Sequence, residues 1–339
     1  MWRTSTIRWG LAALVAVLLL APLAHAKAPG RSDPDKLAAR VDKAAGAGRW
    51  SEVVEGCARG QDLVAKGGDW DQRYGSELGV EARLAWEKIV REYSVALAER
   101  GDDERDRELQ RHALALTDMY LERWPDHTHS YELTFQQGQL AFAVKEYREA
   151  ADAFSRLYGV NPVSGRLRHE AGAGWISSLW ADGGDNWEFY DGQADLVRQD
   201  RLDLTDLIAR RQPIELAEGE LEFIEAIDAF INAVPDHKRS PALLYRTIWL
   251  HHDRYQPRDG IPRCIGYLQG FPDGAEADHV AGMLIDLATW SERIEETKLR
   301  IVAMGLSWEQ LEEQRGRVSG DPPRPWQPDR LDLFPRQVH

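Results

Sequence analysis

The chain has 339 residues, of which 43% are hydrophobic and 29% are charged, and its formal net charge is −14. Such a negative charge repels nucleic acid and anionic lipid headgroups, so neither is an expected partner. The hydrophobic fraction excludes a disordered chain, and a count of two cysteines excludes a disulfide framework. The fold must therefore be stabilised by the packing of apolar side chains.

Residues 1–26 are predicted to be a signal peptide, removed before the chain folds. Arg3 and Arg8 precede an apolar run at 11–20 that is too short to span a bilayer. The sequence Ala-His-Ala that follows is a small-x-small cleavage site ending at Ala26. We therefore expect cleavage after this residue, a periplasmic location and no stable membrane insertion, with an uncleaved membrane anchor as the alternative.

Two helix pairs are predicted in the first part of the mature chain. Residues 34–66 form a pair with a turn at 46–48, and residues 76–124 form two longer helices that are broken at 101–103. Apolar residues recur in the longer helices at steps of three and four, which places them on one face. The side chains expected to point inward are Leu84, Ile89, Leu97, Leu114 and Leu121.

The two cysteines, Cys57 and Cys264, each fall on the apolar face of a predicted helix. A free cysteine behaves as a small apolar residue and is often buried. Two separate buried thiols are therefore favoured over one long-range disulfide.

The segment 131–162 has the most regular pattern in the chain. It predicts two short amphipathic helices, with Gly138 at the point where the first must lie close to its neighbour. Tyr147, Ala150 and Phe154 recur at steps of three and four, and this places them on one face of the second helix.

Four prolines show that this block is repeated. Pro125 and Pro162 lie 37 residues apart, as do Pro235 and Pro272. A shift of 110 residues aligns Pro-Asp-His in the first block with Pro-Asp-His in the second. A fixed period between 20 and 50 residues indicates stacked structural units. Helices are therefore expected at 130–143, 147–159, 240–254 and 259–270.

The other segments contain weaker signals. The glycine-rich stretch 182–188 is expected to interrupt the helical pattern, which resumes at 216–234 with Leu221 inward. Residues 275–300 are predicted to be one helix and 308–317 a last short one.

Strand patterns are almost absent, so the predicted fold class is all-α, an α-solenoid of stacked antiparallel helix pairs. The helical repeat domain covers 27–319, with its best repeats at 126–162 and 236–272. The proline-rich tail at 320–339 is expected to be loose.

No established catalytic or metal-binding motif occurs in the chain. His127 and His129 with His112, or His251 and His252 with Asp253, could gather a metal, but their spacing matches no known site. The acidic loop at 182–188 departs from the ligand spacing of calcium loops. We therefore expect no catalytic residue, no bound metal and no cofactor.

The small residue, aromatic, alanine, aromatic and proline of the first block together resemble a tetratricopeptide repeat. The chain has Gly138, Tyr147, Ala150, Phe154 and Pro162 at these positions. With the export signal, the chain is similar to the periplasmic tetratricopeptide proteins of Gram-negative envelope assembly, and related repeat proteins accompany motility and secretion machines. The resemblance implies a scaffold that binds other proteins of the envelope.

In this family the first helix of each pair lines a concave groove that holds the partner. Carried over to this chain, the resemblance implies partner contacts in both blocks, with the partner segment bound as a helix or an extended peptide. The implied contacts are Glu132, Phe135, Gln139, Phe142, Tyr245, Trp249, His252 and Asp253. The alternative function is an envelope enzyme on a helical solenoid, such as one acting on peptidoglycan.

Overall fold

The computed structural model describes residues 34–68, 70, 72, 76–159, 165–198 and 215–318. The predicted signal peptide at 1–26 and the predicted tail at 320–339 both lie outside these residues. Within the described part of the chain, no helix is long and apolar enough to cross a membrane.

The described residues form thirteen α-helices and no strand, which confirms the all-α fold class. In chain order the helices are α1 (Pro34–Gly46), α2 (Trp50–Leu63), α3 (Ser76–Asp103), α4 (Arg107–Arg123), α5 (Ser130–Val144), α6 (Tyr147–Gly159), α7 (Gly165–Arg198), α8 (Glu218–Ala233), α9 (Ser240–Asp253), α10 (Pro257–Gly270), α11 (Ala277–Trp290), α12 (Ile294–Val302) and α13 (Trp308–Arg317).

Most helices pack mainly on the helices that precede and follow them in the chain, which confirms the α-solenoid. Six successive pairs run from α1/α2 to α11/α12, and α13 packs on the last pair. The apolar core is correspondingly long, because no helix buries its apolar stripe without its neighbours.

A left-handed turn joins the two helices of a pair. After α5, Lys145 has a φ of 73°, and the next amide, that of Glu146, donates to the carbonyl of Ala141 at 2.8 Å. This bond spans five residues and caps the C-terminal end of α5, where carbonyl groups lack partners within the helix. The same pairing of a positive φ with this bond recurs after α1, α3, α9, α11 and α12, at Gly48, Arg105, Tyr255, Glu292 and Gly305.

A different loop joins one pair to the next, and three copies of it have the same backbone bonds. In the first copy, the amide of His127 donates to the carbonyl of Trp124 at 3.2 Å, and the amide of Ser130 donates to the carbonyl of His127 at 2.9 Å. Equivalent bonds occur in the loops at 234–240 and 271–277. The three loops are offset by the 110 and 37 residues of the proline spacing, so the period read from the sequence is a structural period.

Gly138 occupies the close approach that the sequence predicts. A Cβ on this glycine of α5 would lie 2.7 Å from the ring of Phe154 on α6. A Cβ on Gly174 of α7 would also lie 2.7 Å from this ring. The ring of Phe154 is fully buried. It lies between α5 and α7, each of which has a glycine, and so no side chain, at the contact.

Two predicted helix boundaries are wrong. The 275–300 segment is two helices, because Glu292 takes a left-handed conformation with a φ of 57° and separates α11 from α12. The 182–188 stretch lies within α7, which runs from Gly165 to Arg198. Glycine lowers helix propensity by only about 1 kcal/mol, so a long helix can contain it.

Three details of the longer helices also differ from the prediction. The break between α3 and α4 lies at 104–106, beyond the predicted 101–103, and includes Arg105 in the left-handed region. Leu84 and Leu221, both expected inward, are 57% and 53% exposed. The apolar faces of α3 and α8 are therefore rotated away from these two leucines.

Both cysteines are free and buried, which confirms the prediction of two separate thiols. Burial raises the pKa of the Cys57 thiol to about 12 and raises the pKa of Cys264 further. The thiols are therefore protonated and unreactive in the folded protein.

The close contact at Gly138 can be tested by adding a single methyl group. We expect Gly138→Ala to lower the free energy of unfolding by about 1–3 kcal/mol, because the methyl group must displace the Phe154 ring. Gly266→Ala is the matched control, since this exposed helical glycine has no atom within 4 Å of the added Cβ. We expect this control to raise stability by about 0.5–1 kcal/mol. Urea denaturation followed by circular dichroism measures both, and equal effects would contradict the packing.

Candidate functional site

The groove residues expected in the first block divide into surface and core positions. Glu132 is exposed, and Gln139 and Phe142 are half-buried. Phe142 also makes an edge contact with Tyr147, with ring centroids 5.3 Å apart. Phe135 is only 8% exposed and packs on the ring of Phe154, so it belongs to the core and leaves little surface for a partner.

The second block shows the same division. Tyr245 is 2% exposed and belongs to the core, so it too leaves almost no surface for a partner. Trp249 is half-buried beside Arg246, whose guanidinium carbon lies 5.2 Å from the Trp249 ring centroid and 4.1 Å from that of Trp180. These cation–π contacts tie α9 to α7 and leave only part of Trp249 for a partner.

His252 and Asp253, the last two expected contacts, are held by neighbouring side chains. The His252 ring lies 4.7 Å from the ring of Trp290 on α11, and its Nε2 is 3.5 Å from a carboxylate oxygen of Asp286. The carboxylate of Asp253 accepts from the Arg254 guanidinium at 2.5 Å, while its burial raises its pKa. Both residues are half-buried, and His252 contacts the neighbouring helix α11.

A cleft of about 480 Å³ lies elsewhere, at the N-terminal half of α3 and the loop after α4. Val80 and Leu84 are 48% and 57% exposed and form its apolar part together with Trp124. Exposed apolar side chains grouped in a concavity are typical of binding sites. The remaining lining residues are Lys66, Arg83, Glu87, Glu122, Arg123 and His127.

A hydrogen-bonded network forms one wall of this cleft. The hydroxyl of Tyr120 donates to Oε1 of Glu87 at 2.7 Å and lies 2.8 Å from Nδ1 of His127. Nε of Arg91 donates to the same Oε1 at 3.0 Å. Burial alone would raise the pKa of the Glu87 carboxyl, but the bonds from Tyr120 and Arg91 outweigh it and lower that pKa. Glu87 is therefore a buried, ionised carboxylate at neutral pH.

His129 lies beside this network. Its ring centroid is 5.4 Å from that of His127, and the ligand atoms of Glu87, His127 and His129 all lie within 4.8 Å of one another. The sequence suggested His112 as the third member of this group, but the structure brings Glu87 there instead. The other suggested group is separated, because Nδ1 of His251 faces Gln256 at 3.0 Å and His252 faces Asp286.

The sequence analysis missed Glu87 and misplaced Leu84. Glu87 lies 33 residues before Tyr120 and 40 before His127, so no local spacing relates them. The one available signal was a glutamate between Trp86 and Val90 in an apolar run, a position where a buried charge requires partners.

The depressed pKa of Glu87 gives a test by pH. A carboxylate with a lowered folded-state pKa contributes stability above its unfolded pKa, near 4.5, and this contribution is lost as the pH falls through the folded value. We expect Glu87→Gln to cost about 1.5–3 kcal/mol at neutral pH, with the difference from wild type shrinking below pH 4.5.

Urea denaturation in the presence of EDTA at several acidic and neutral pH values measures this difference. The control is Glu92→Gln on the same helix, since Glu92 is 38% exposed and its oxygen lies 3.7 Å from Lys88. We expect a change of at most about 0.5 kcal/mol there at neutral pH. A Glu87 effect that stayed constant down to the most acidic sample would contradict the assignment.

Two comparisons with known proteins were made. No protein-family model matches the chain, and no curated protein matches it. The function must therefore be argued from the residues of the cleft and of the helix pairs.

Proposed function

We propose that this chain is a non-catalytic scaffold of the tetratricopeptide-repeat type that binds other proteins of the cell envelope. The observation that carries the proposal is the cleft beside α3, where Val80 and Leu84 expose apolar side chains next to the half-buried Trp124. An exposed apolar patch in a concavity suits recognition of a partner segment.

The interior of the α5/α6 pair supports the tetratricopeptide assignment. Gly138 on the first helix lies against Phe154 on the second, and Ala150 and Phe154 are fully buried. These residues occupy the positions that the resemblance predicts for a small residue, an alanine and an aromatic. A glycine on α7 repeats the arrangement, because a Cβ on Gly172 would lie 3.0 Å from the ring of Phe230 on α8.

The charge around the cleft supports a particular class of partner segment. Its lining has three basic residues, Lys66, Arg83 and Arg123, against two acidic ones, Glu87 and Glu122, on a chain whose net charge is −14. Such a local reversal of sign favours a segment with an apolar anchor and acidic neighbours. The apolar anchor would occupy the space between Leu84 and Trp124, with the segment bound as a helix or an extended peptide.

The envelope location in this proposal depends on the N-terminal sequence. Arg3, Arg8 and the short apolar run before Ala26 have the organisation of an export signal. The partners expected in that compartment are proteins of envelope assembly, secretion or motility, as in the family that the chain resembles.

Capture of envelope proteins by the purified chain tests the proposal. We expect a discrete partner to bind the wild type and to be lost with Leu84→Glu, because the new carboxylate enters the apolar part of the cleft beside Glu87. The matched control is Leu299→Glu, since Leu299 is 75% exposed on α12, outside the cleft. We expect this control to retain the partner, and a similar loss in both variants would count against the cleft.

The same preparation separates a scaffold from an envelope enzyme. Incubation with purified peptidoglycan should release no soluble fragments from wild type or from either variant. Release of fragments that a single carboxylate substitution abolishes would overturn the scaffold proposal and support the enzyme alternative.

A further inference from the structure

We propose that Glu87, His127 and His129 form a binding site for a divalent transition metal ion of the zinc class. One candidate ligand atom of each residue lies within 4.8 Å of those of the other two, at the edge of the cleft. The site goes beyond the scaffold function and does not depend on it. It also departs from the expectation, drawn from the sequence, that the chain binds no metal.

The donor set suits such an ion. Two imidazoles and one carboxylate are the protein ligands of many zinc sites that keep a fourth position open, and imidazole disfavours Mg²⁺ and Ca²⁺. With metal–ligand bonds of about 2.1 Å, tetrahedral ligand atoms lie roughly 3.4 Å apart. Rotation of the side chains must bring the three ligand atoms to this spacing, and His129, which is exposed on the loop, has room to move.

Tyr120 orients His127 for this role. Its hydroxyl has one proton, which it donates to Oε1 of Glu87, so its oxygen accepts from Nδ1–H of His127. This pairing leaves the lone pair of His127 on Nε2, the nitrogen that can bind a metal. A metal-binding histidine usually donates its other ring N–H to a fixed acceptor, and the hydroxyl oxygen of Tyr120 is that acceptor here.

Glu87 can serve as a ligand while it keeps its present bonds. The bonds from Tyr120 and Arg91 both end on Oε1, so binding through Oε2 requires neither to break. The carboxylate is buried, with 7% of its side chain exposed, and its position is therefore well defined before an ion arrives.

The second copy of the loop shows which of these residues the loop needs in order to fold. There, Phe230 replaces Tyr120 and Arg239 replaces His129, while His237 remains at the position of His127. Nδ1 of His237 accepts from the amide of Arg239 at 3.3 Å, and its ring packs edge-on against Phe230. The loop therefore folds without a second histidine or a tyrosine hydroxyl.

The third copy of the loop leads to the same conclusion. It has Gly274 at the position of His127 and Glu276 at the position of His129, yet it forms the same backbone bonds. Neither histidine is required by the backbone of this loop. A metal site explains why the first copy has both histidines opposite the buried carboxylate of Glu87.

Titration of the untagged, EDTA-stripped chain with Zn²⁺ by calorimetry tests the proposal, and Co²⁺ absorption reports the geometry. We expect one ion per chain at this site and no comparable binding of Mg²⁺ or Ca²⁺. His129→Arg, which copies the second loop, should weaken Zn²⁺ binding at least tenfold. Tyr120→Phe introduces the residue that the second copy has at this position and removes the hydroxyl that orients His127. It should weaken Zn²⁺ binding by about tenfold or more.

His112→Ala is the matched control, because His112 lies on α4 outside the group of three. Its affinity for Zn²⁺ should equal that of wild type. Circular dichroism and urea denaturation must show that His129→Arg is folded, which the arginine at this position of the second loop favours. Zn²⁺ affinity that is unchanged in His129→Arg, or lowered equally in His112→Ala, would overturn the proposal, as would the absence of binding by wild type.

Discussion

The stack of helices depends on the ring of Phe154, which lies between two glycines. Gly138 and Gly174 approach the ring from α5 and α7, and neither position has room for a Cβ. Three consecutive helices are thus held at one point by a single buried side chain. Each helix pair buries its apolar stripe against the next pair. The distance between α5 and α7 at the Phe154 ring therefore sets the position of the pair that follows.

Two kinds of connection then produce the period, and only one of them can be recognised in the sequence at every occurrence. The Pro-Asp loops that follow α4, α8 and α10 have a residue type that cannot continue a helix, so their spacing can be read directly. The left-handed turns use glycine at Gly48 and Gly305 but not at Glu292. A glutamate in that conformation costs about 1 kcal/mol, which the packing of α11 on α12 must offset. Local propensity therefore predicts one helix where the structure has two.

The candidate site was less predictable than the fold because helical spacing does not say which neighbour a face meets. Phe135 and Tyr245 share the side of the first helix that the family resemblance assigns to the groove, yet both are buried. On α3 the roles of two neighbours are reversed, since Leu84 is exposed and Glu87 is buried. Glu87 tolerates burial because Tyr120 and Arg91 satisfy its charge, and the tyrosine lies on another helix.

The cleft and the three-residue metal group are physically linked, because Glu87 and His127 belong to both. A divalent ion bound there would add two positive charges to a wall that already has Lys66 and Arg123 at its rim. Its electrostatic attraction would strengthen the binding of an acidic segment, and an open coordination position would allow a carboxylate of that segment to bind the ion directly. Coupling of this kind is reciprocal, so a partner that binds more tightly with Zn²⁺ must also tighten the binding of Zn²⁺ by the same factor.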